Sequence, residues 1–284
     1  MKSVDGRKLD WTFYSFQRMR AESSVTQMPL LRLAEGGPGD FDFTIVRVDS
    51  EYYAPRHTHP WAQVRLMLEG EQNYGEGKEL PLGSVSYFPE GVYYGPHDVK
   101  GPMENMLLQF GGPSGMGYPS HEALLKVSEE MRKTGKFIKG GVYETVGPDG
   151  QVKRTDGYRA TWEHYKGKPL VYPKPQYYEP VVMFPEQFPW KRVEGMPGNY
   201  VKPLGSFSAG EVELKMVRAE AGAEFVHGSG RRREILFVTE GELSAGATSL
   251  GKRSAVYTTE GEHARYTVTE DVTALVIVLP SFTA

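Results

Sequence analysis

The chain has 284 residues, enough for one large domain or two of ordinary size. Its 33 basic side chains against 36 acidic ones leave a net charge of −3, so there is no basic surplus of the kind a nucleic-acid backbone demands. The absence of cysteine excludes disulfides, thiolate catalysis and Cys-ligated metals, and it fits a reducing, cytoplasmic setting.

The N-terminus, Met1 to Lys8, has no apolar segment behind its charges and does not read as a targeting signal. No stretch approaches the roughly 18 apolar residues of a membrane span, so no membrane partner is expected. From about Asp40 the chain breaks into short strand-like runs. Phe41–Val48 is aromatic and β-branched, and Ala62–Leu68 alternates, with Gln63, Arg65 and Met67 on one face and Val64, Leu66 and Leu68 on the other. Glu69-Gly70-Glu71 reads as a turn. Ser84–Phe88, a Pro89-Glu90-Gly91 turn and Met106–Phe110 complete a series ending at Gly111-Gly112. Ser120 to Lys133 is a predicted helix. Ser120 is its N-cap, and Ala123, Leu124, Val127 and Met131 fall at helical spacing. The proline- and tyrosine-rich run Leu170 to Pro189 reads as an ordered connector. After Phe207 the first layout returns: Val212–Arg218, Ile235–Thr239, Glu240-Gly241-Glu242, Ala255–Thr259, Glu260-Gly261-Glu262 and Ala274–Leu279. The order of strands and turns repeats, which indicates internal duplication. The sequence thus divides into 1–112, a barrel with a leading segment; 113–204, a connector with one helix; and 205–284, a second, degenerate barrel.

The chemistry concentrates in Pro55-Arg-His57-Thr-His59-Pro-Trp61-Ala-Gln63. Two histidines two apart on an extended chain share a face, and imidazoles placed this way suit a first-row transition metal. His57-x-His59-x3-Gln63-x6-Gly70 resembles the first cupin motif, with Gln where many members carry Glu. Gly83-x5-Pro89-x-Gly91 resembles the second. The resemblance covers roughly 40–110 closely and 205–280 more loosely. It implies an all-β bicupin, two jelly-roll barrels joined by a short helical and Pro-rich connector. It also implies one divalent transition metal, Fe, Mn, Ni or Zn, in the N-terminal barrel, and no organic cofactor.

The resemblance departs from the pattern at the last ligand. The usual histidine position is Tyr94, and His97 lies three residues further on; a bulge at Gly95-Pro96 would return His97 to the inward face. His57, His59, Gln63 and His97 would then form a three-His, one-Gln set of the kind some metal-dependent cupin lyases and isomerases use; otherwise Tyr94 stands at the site. Tyr94 is the expected proton donor or substrate anchor. Trp61, Tyr74, Tyr87 and Gln109 are the expected substrate-binding residues. In the second repeat His227 keeps the first ligand position, but Ser229 and Ala264 replace ligands, so that barrel reads as structural. Glu234, Glu262 and His263 form a minor alternative cluster there, and Arg231–Arg233 reads as a solvated loop. The functional expectation is a metal-dependent bicupin enzyme, a dioxygenase ahead of an isomerase or lyase. Its substrate would be a small oxygenated molecule, aromatic or anionic. The alternative is a non-catalytic small-molecule-binding or structural bicupin. The oligomeric expectation is a monomer or homodimer.

Overall fold

The computed structural model describes residues 1–15, 24–138, 141–207 and 211–282. The chain forms two compact units. One comprises Met1–Asp10, Pro29–Arg32 and Met183–Ala284; the other comprises Trp11–Met28 and Leu33–Val182.

The second of these units carries the first motif. Its centre is an antiparallel set of four strands, Val85–Phe88, Ala62–Glu69, Met103–Phe110 and Phe41–Val48. The register sets Gln63 opposite both Phe88 and Gln109, and Gln109 opposite Asp42. Because strand side chains alternate, this row and the one through Arg65, Leu107 and Thr44 face one side. The alternate side, with Phe43, Ile45, Val64, Met106 and Leu108, is fully buried. Smaller ribbons pair Tyr52–Ala54 with His97–Val99 and Gln72–Gly75 with Lys78–Leu80. A single bridge joins His57 to Tyr94 through two backbone hydrogen bonds of 3.0 and 3.1 Å.

The stretch after Gly112 is more than a connector with one helix. It holds α1 (His121–Met131), α2 (Gly157–Lys166) and a three-stranded sheet of Gly135–Ile138, Val142–Val146 and Val152–Asp156. Ser120 caps α1 as its sequence predicts, its Oγ accepting from Ala123 N at 3.2 Å. Asp156 caps α2 on Arg159 N, and Gly167 closes it in the left-handed conformation. Both helices deliver apolar groups to one cluster: Leu124 from α1, Tyr158 and Trp162 from α2, with Trp61, Tyr118 and Leu170.

The other unit is a larger antiparallel sheet. In spatial order its strands are Lys2–Val4, Ala255–Thr258, Glu234–Ala245, Ala264–Val278, Val212–Ala219, Asn199–Phe207 and Lys191–Arg192. Its core gathers Leu236, Val238, Leu243, Val256, Val268, Val272 and Val276. The leading segment pairs here, Lys2 opposite Tyr257. Glu240-Gly241-Glu242 differs from its expected role. It is an irregularity inside one long strand, where register shifts against Ala264–Val278. Gly241 is required there: its φ is +74°, and a Cβ would lie 2.0 Å from the Asp271 carbonyl oxygen. Glu69-Gly70-Glu71, by contrast, does separate two strands. Among the described residues no helix is long and apolar enough to cross a membrane.

Candidate functional site

The inward rows of the first barrel, together with Tyr118, Leu124 and Tyr158, enclose a cavity of roughly 200 Å³. His57, His59, Trp61, Gln63, Tyr94, His97 and Gln109 all line it. Tyr94 and His97 both face it. The His57 bridge fixes Tyr94, and the strand through His97 starts after the cis Gly95–Pro96 bond, paired with Ala54. The sequence alternatives at the last position therefore coexist.

Tyr74 and Tyr87 do not line the cavity. Tyr87 pairs with Val64, so strand alternation turns it to the opposite side. Tyr74 lies edge-on to Phe88, with centroids 6.2 Å apart. Trp61 stacks on His59 at 4.2 Å and meets Tyr118 and Tyr158 edge-on. The Gln109 amide oxygen accepts from the Tyr118 hydroxyl at 3.4 Å.

Two imidazoles are oriented by backbone carbonyls. His57 Nδ1 bonds the Pro55 oxygen and His97 Nδ1 the Asn73 oxygen, each at 2.5 Å. Each Nδ1 carries the proton, which leaves a lone pair on Nε2. His97 is almost fully buried; burial, the Arg65 charge and His57 hold its pKa well below the usual imidazole value. It is a neutral base at pH 7.

The residue that sequence reasoning missed is Arg65. It is 6% exposed, and its guanidinium bonds three side chains of the site. Nη2 and Nε donate to Gln63 Oε1 at 2.8 and 3.3 Å, Nη1 to Gln72 Oε1 at 3.1 Å, and Nη1 to His97 Nε2 at 3.4 Å. The guanidinium also lies over Phe88 at 4.4 Å and Tyr94 at 5.2 Å. Gln63 is used at both ends, its Nε2 donating to the Tyr94 hydroxyl at 3.0 Å. The strand period already placed Arg65 on the face of Gln63. Tyr118 and Tyr158 had no local signal, since they arrive from the segment after the barrel.

The four expected ligands do not fit a divalent ion as a set. The tautomers of His57 and His97 suit metal ligation, because such histidines hold their second nitrogen on a carbonyl. Gln63 is committed to Arg65, and the one in-plane lone pair of His97 Nε2 already faces the guanidinium. An ion on that nitrogen would stand against a fixed positive charge, a repulsion on the order of 8 kcal/mol at roughly 4 Å and an effective dielectric near 20. Among the described residues, no three His, Asp or Glu side chains converge as a metal site.

The second barrel has a separate cavity beside His227, Ser229 and Glu234. His227 Nδ1 lies 3.9 Å from Glu234, whose Oε1 accepts from Ser229 N at 3.0 Å. Glu262 instead bonds Thr259 N, and His263 is exposed with Nδ1 near the Gly228 oxygen, so the alternative cluster is dispersed. Arg231 is exposed in an irregular segment, while Arg232 and Arg233 are half-buried and bond the Leu279 and Pro280 carbonyls.

No protein-family model and no curated protein matches the chain. Solved structures do. A putative dioxygenase from Nostoc punctiforme superposes with a TM-score of 0.65 at 12% identity, over all of this chain and 87% of that one. Bacillus subtilis oxalate decarboxylase, an enzyme with Mn(II) centres, is also similar. Its deletion mutant superposes with a TM-score of 0.56 at 12% identity, over all of this chain and 78% of that one. These likenesses, with two large antiparallel sheets built on a repeated strand order, establish that the chain has the bicupin fold.

Proposed function

We propose that the first barrel is the active site of an enzyme that moves a proton on a small oxygenated organic molecule, an isomerase or lyase. The observation that carries this reading is the convergence of an oriented imidazole and a phenol on one cavity. His57 has its Nδ1 proton held by Pro55, and its ring lies 4.6 Å from that of Tyr94. The Tyr94 oxygen accepts from Gln63, so its own proton is available to donate. For a carbonyl compound, His57 Nε2 takes the proton from the adjacent carbon. The electron pair moves toward the carbonyl, and Tyr94 protonates the oxygen to give an enol. Where the adjacent carbon carries a hydroxyl the product is an enediol; return of the proton to the former carbonyl carbon, with the neighbouring hydroxyl giving its proton back to Tyr94, yields the isomeric carbonyl compound, and no oxidant is consumed. His57→Gln and Tyr94→Phe should each lower turnover by about 10²–10⁴-fold. The test is deuterium uptake from D2O at the carbon next to the carbonyl, followed by proton NMR across a panel of keto acids. No uptake with any member overturns the reading.

A metal-dependent dioxygenase is the second reading, and the carbonyl-held tautomers of His57 and His97 favour it. Near one equivalent of metal in protein purified without chelators, lost in His57→Ala/His59→Ala with the fold intact, would replace the first reading with this one.

A further inference from the structure

We infer that the guanidinium of Arg65 is the seat of an anionic group, the carboxylate of a small organic acid bound in the first-barrel cavity. The inference rests on the reading that this cavity holds the substrate. Arg65 is buried, lines the cavity and keeps its charge at any physiological pH. Buried charges are ordinarily paired with opposite ones. Among the described residues its hydrogen bonds go to neutral acceptors: the Gln63 and Gln72 amides and His97. Asp42, the acidic residue on the same cavity face, stands two strands from Gln63, about 10 Å by strand spacing.

The rest of the pocket keeps the cation in place without neutralising it. The Phe88 and Tyr94 rings flank the guanidinium, and Asn105 shares the Gln72 oxygen at 3.2 Å. Only the Nη2–Gln63 bond is short; the other three contacts are 3.1 to 3.4 Å and can yield to a stronger acceptor. A carboxylate is that acceptor, since its two oxygens match the guanidinium fork. A cavity of roughly 200 Å³ lies below the range of drug-sized sites and restricts the acid to a few heavy atoms or a single ring.

The test is isothermal titration of chelator-treated protein with two charge pairs: pyruvate against pyruvamide, and benzoate against benzamide. The expected result is saturable binding of at least one acid, with its amide at least tenfold weaker. Arg65→Gln should weaken that acid at least tenfold, and Arg65→Lys should retain part of the affinity. Equal binding of acid and amide, unchanged binding by Arg65→Gln, or no binding of any probe to folded wild type overturns the inference. If Arg65→Gln fails to fold, the acid–amide comparison on the wild type and the Arg65→Lys titration decide it. Binding is read without turnover. An acid that binds but takes up no deuterium overturns the proton-transfer reading alone, and deuterium uptake into a neutral ketone without acid binding overturns this inference alone.

Discussion

Gln63→Glu should stabilise the protein while removing its affinity for small acids. Gln63 Oε1 lies 2.8 Å from Arg65 Nη2 and 3.3 Å from Nε. A carboxylate there would form a bidentate pair with a cation whose desolvation the wild type already bears. Attraction between unit charges at roughly 4 Å and an effective dielectric near 20 is about 4 kcal/mol. Burying the new carboxylate opposes it by a few kcal/mol. The Tyr94 hydroxyl, which now accepts from the amide at 3.0 Å, can turn its proton round and donate to the new oxygen, so that bond survives. The net expectation is a gain of about 1–3 kcal/mol, or a few degrees in Tm. The new Glu would have a depressed pKa. Its contribution is therefore complete above the unfolded carboxyl value near 4.3 and is lost as pH falls below it. The assay is a pair of melts on chelator-treated protein at pH 7.5 and pH 3.5, with the acid titration repeated at pH 7.5. A metal centre predicts the opposite pattern: Gln63→Glu would add a charged ligand and raise metal content, with no gain in metal-free protein. Equal or lower stability without metal, together with undiminished acid binding, would refute the charge-pairing argument.

Three further outcomes follow from packing and titration. Leu236→Ala, at a fully buried position in the second-barrel core, should cost about 2–5 kcal/mol in urea unfolding; a loss below 1 would contradict its packing. Gly91→Ala should be far worse than Gly77→Ala. Both have positive φ, a strain of about 1–2 kcal/mol, but the Gly91 Cβ would lie 2.0 Å from the Pro173 oxygen while Gly77 has open space; equal melting shifts would refute the contact. Burial lowers the His227 pKa to about 4, against the opposing pull of Glu234. Folded His227 then stays neutral while the unfolded chain protonates below about 6.5, so stability is complete above that pH and falls between 6.5 and about 4, by an amount of order 2–3 kcal/mol. Urea melts at pH 7.5 and 5.0 should show this slope, and His227→Leu should remove its share.

Much of the fold and part of the site were legible in the sequence. The repeated order of strand and Glu-Gly-Glu, the His57-x-His59 spacing and the two-residue period placed seven of the expected side chains on one cavity. Tyr87 failed because its face depends on pairing with Val64, which no local pattern displays. The segment after Gly112 reads as a connector because its strands are short and fully bury only Tyr143 and Glu144, and Tyr158 and Trp162 find their partners only in three dimensions. Arg65 was visible as a same-face neighbour of Gln63. Its chemistry was not, because an arginine on an alternating strand ordinarily marks the solvent side. Only barrel closure shows that the strand is buried on both faces.

That closure changes the meaning of the Gln63 position. In the cupin pattern, Glu would bring a negative charge to a barrel that holds a positive ion. This chain has a neutral amide at 63 and a fixed cation at 65, held by that same amide. Adding a divalent ion to neutral imidazoles beside Arg65 would give the cavity three positive charges in a region shielded from water. Leaving the cation as arginine gives one, which a single carboxylate neutralises. Gln63 and Arg65 therefore act as a pair: the amide supplies a dipole to hold the guanidinium without cancelling it, and the uncancelled charge is what a small acid would meet.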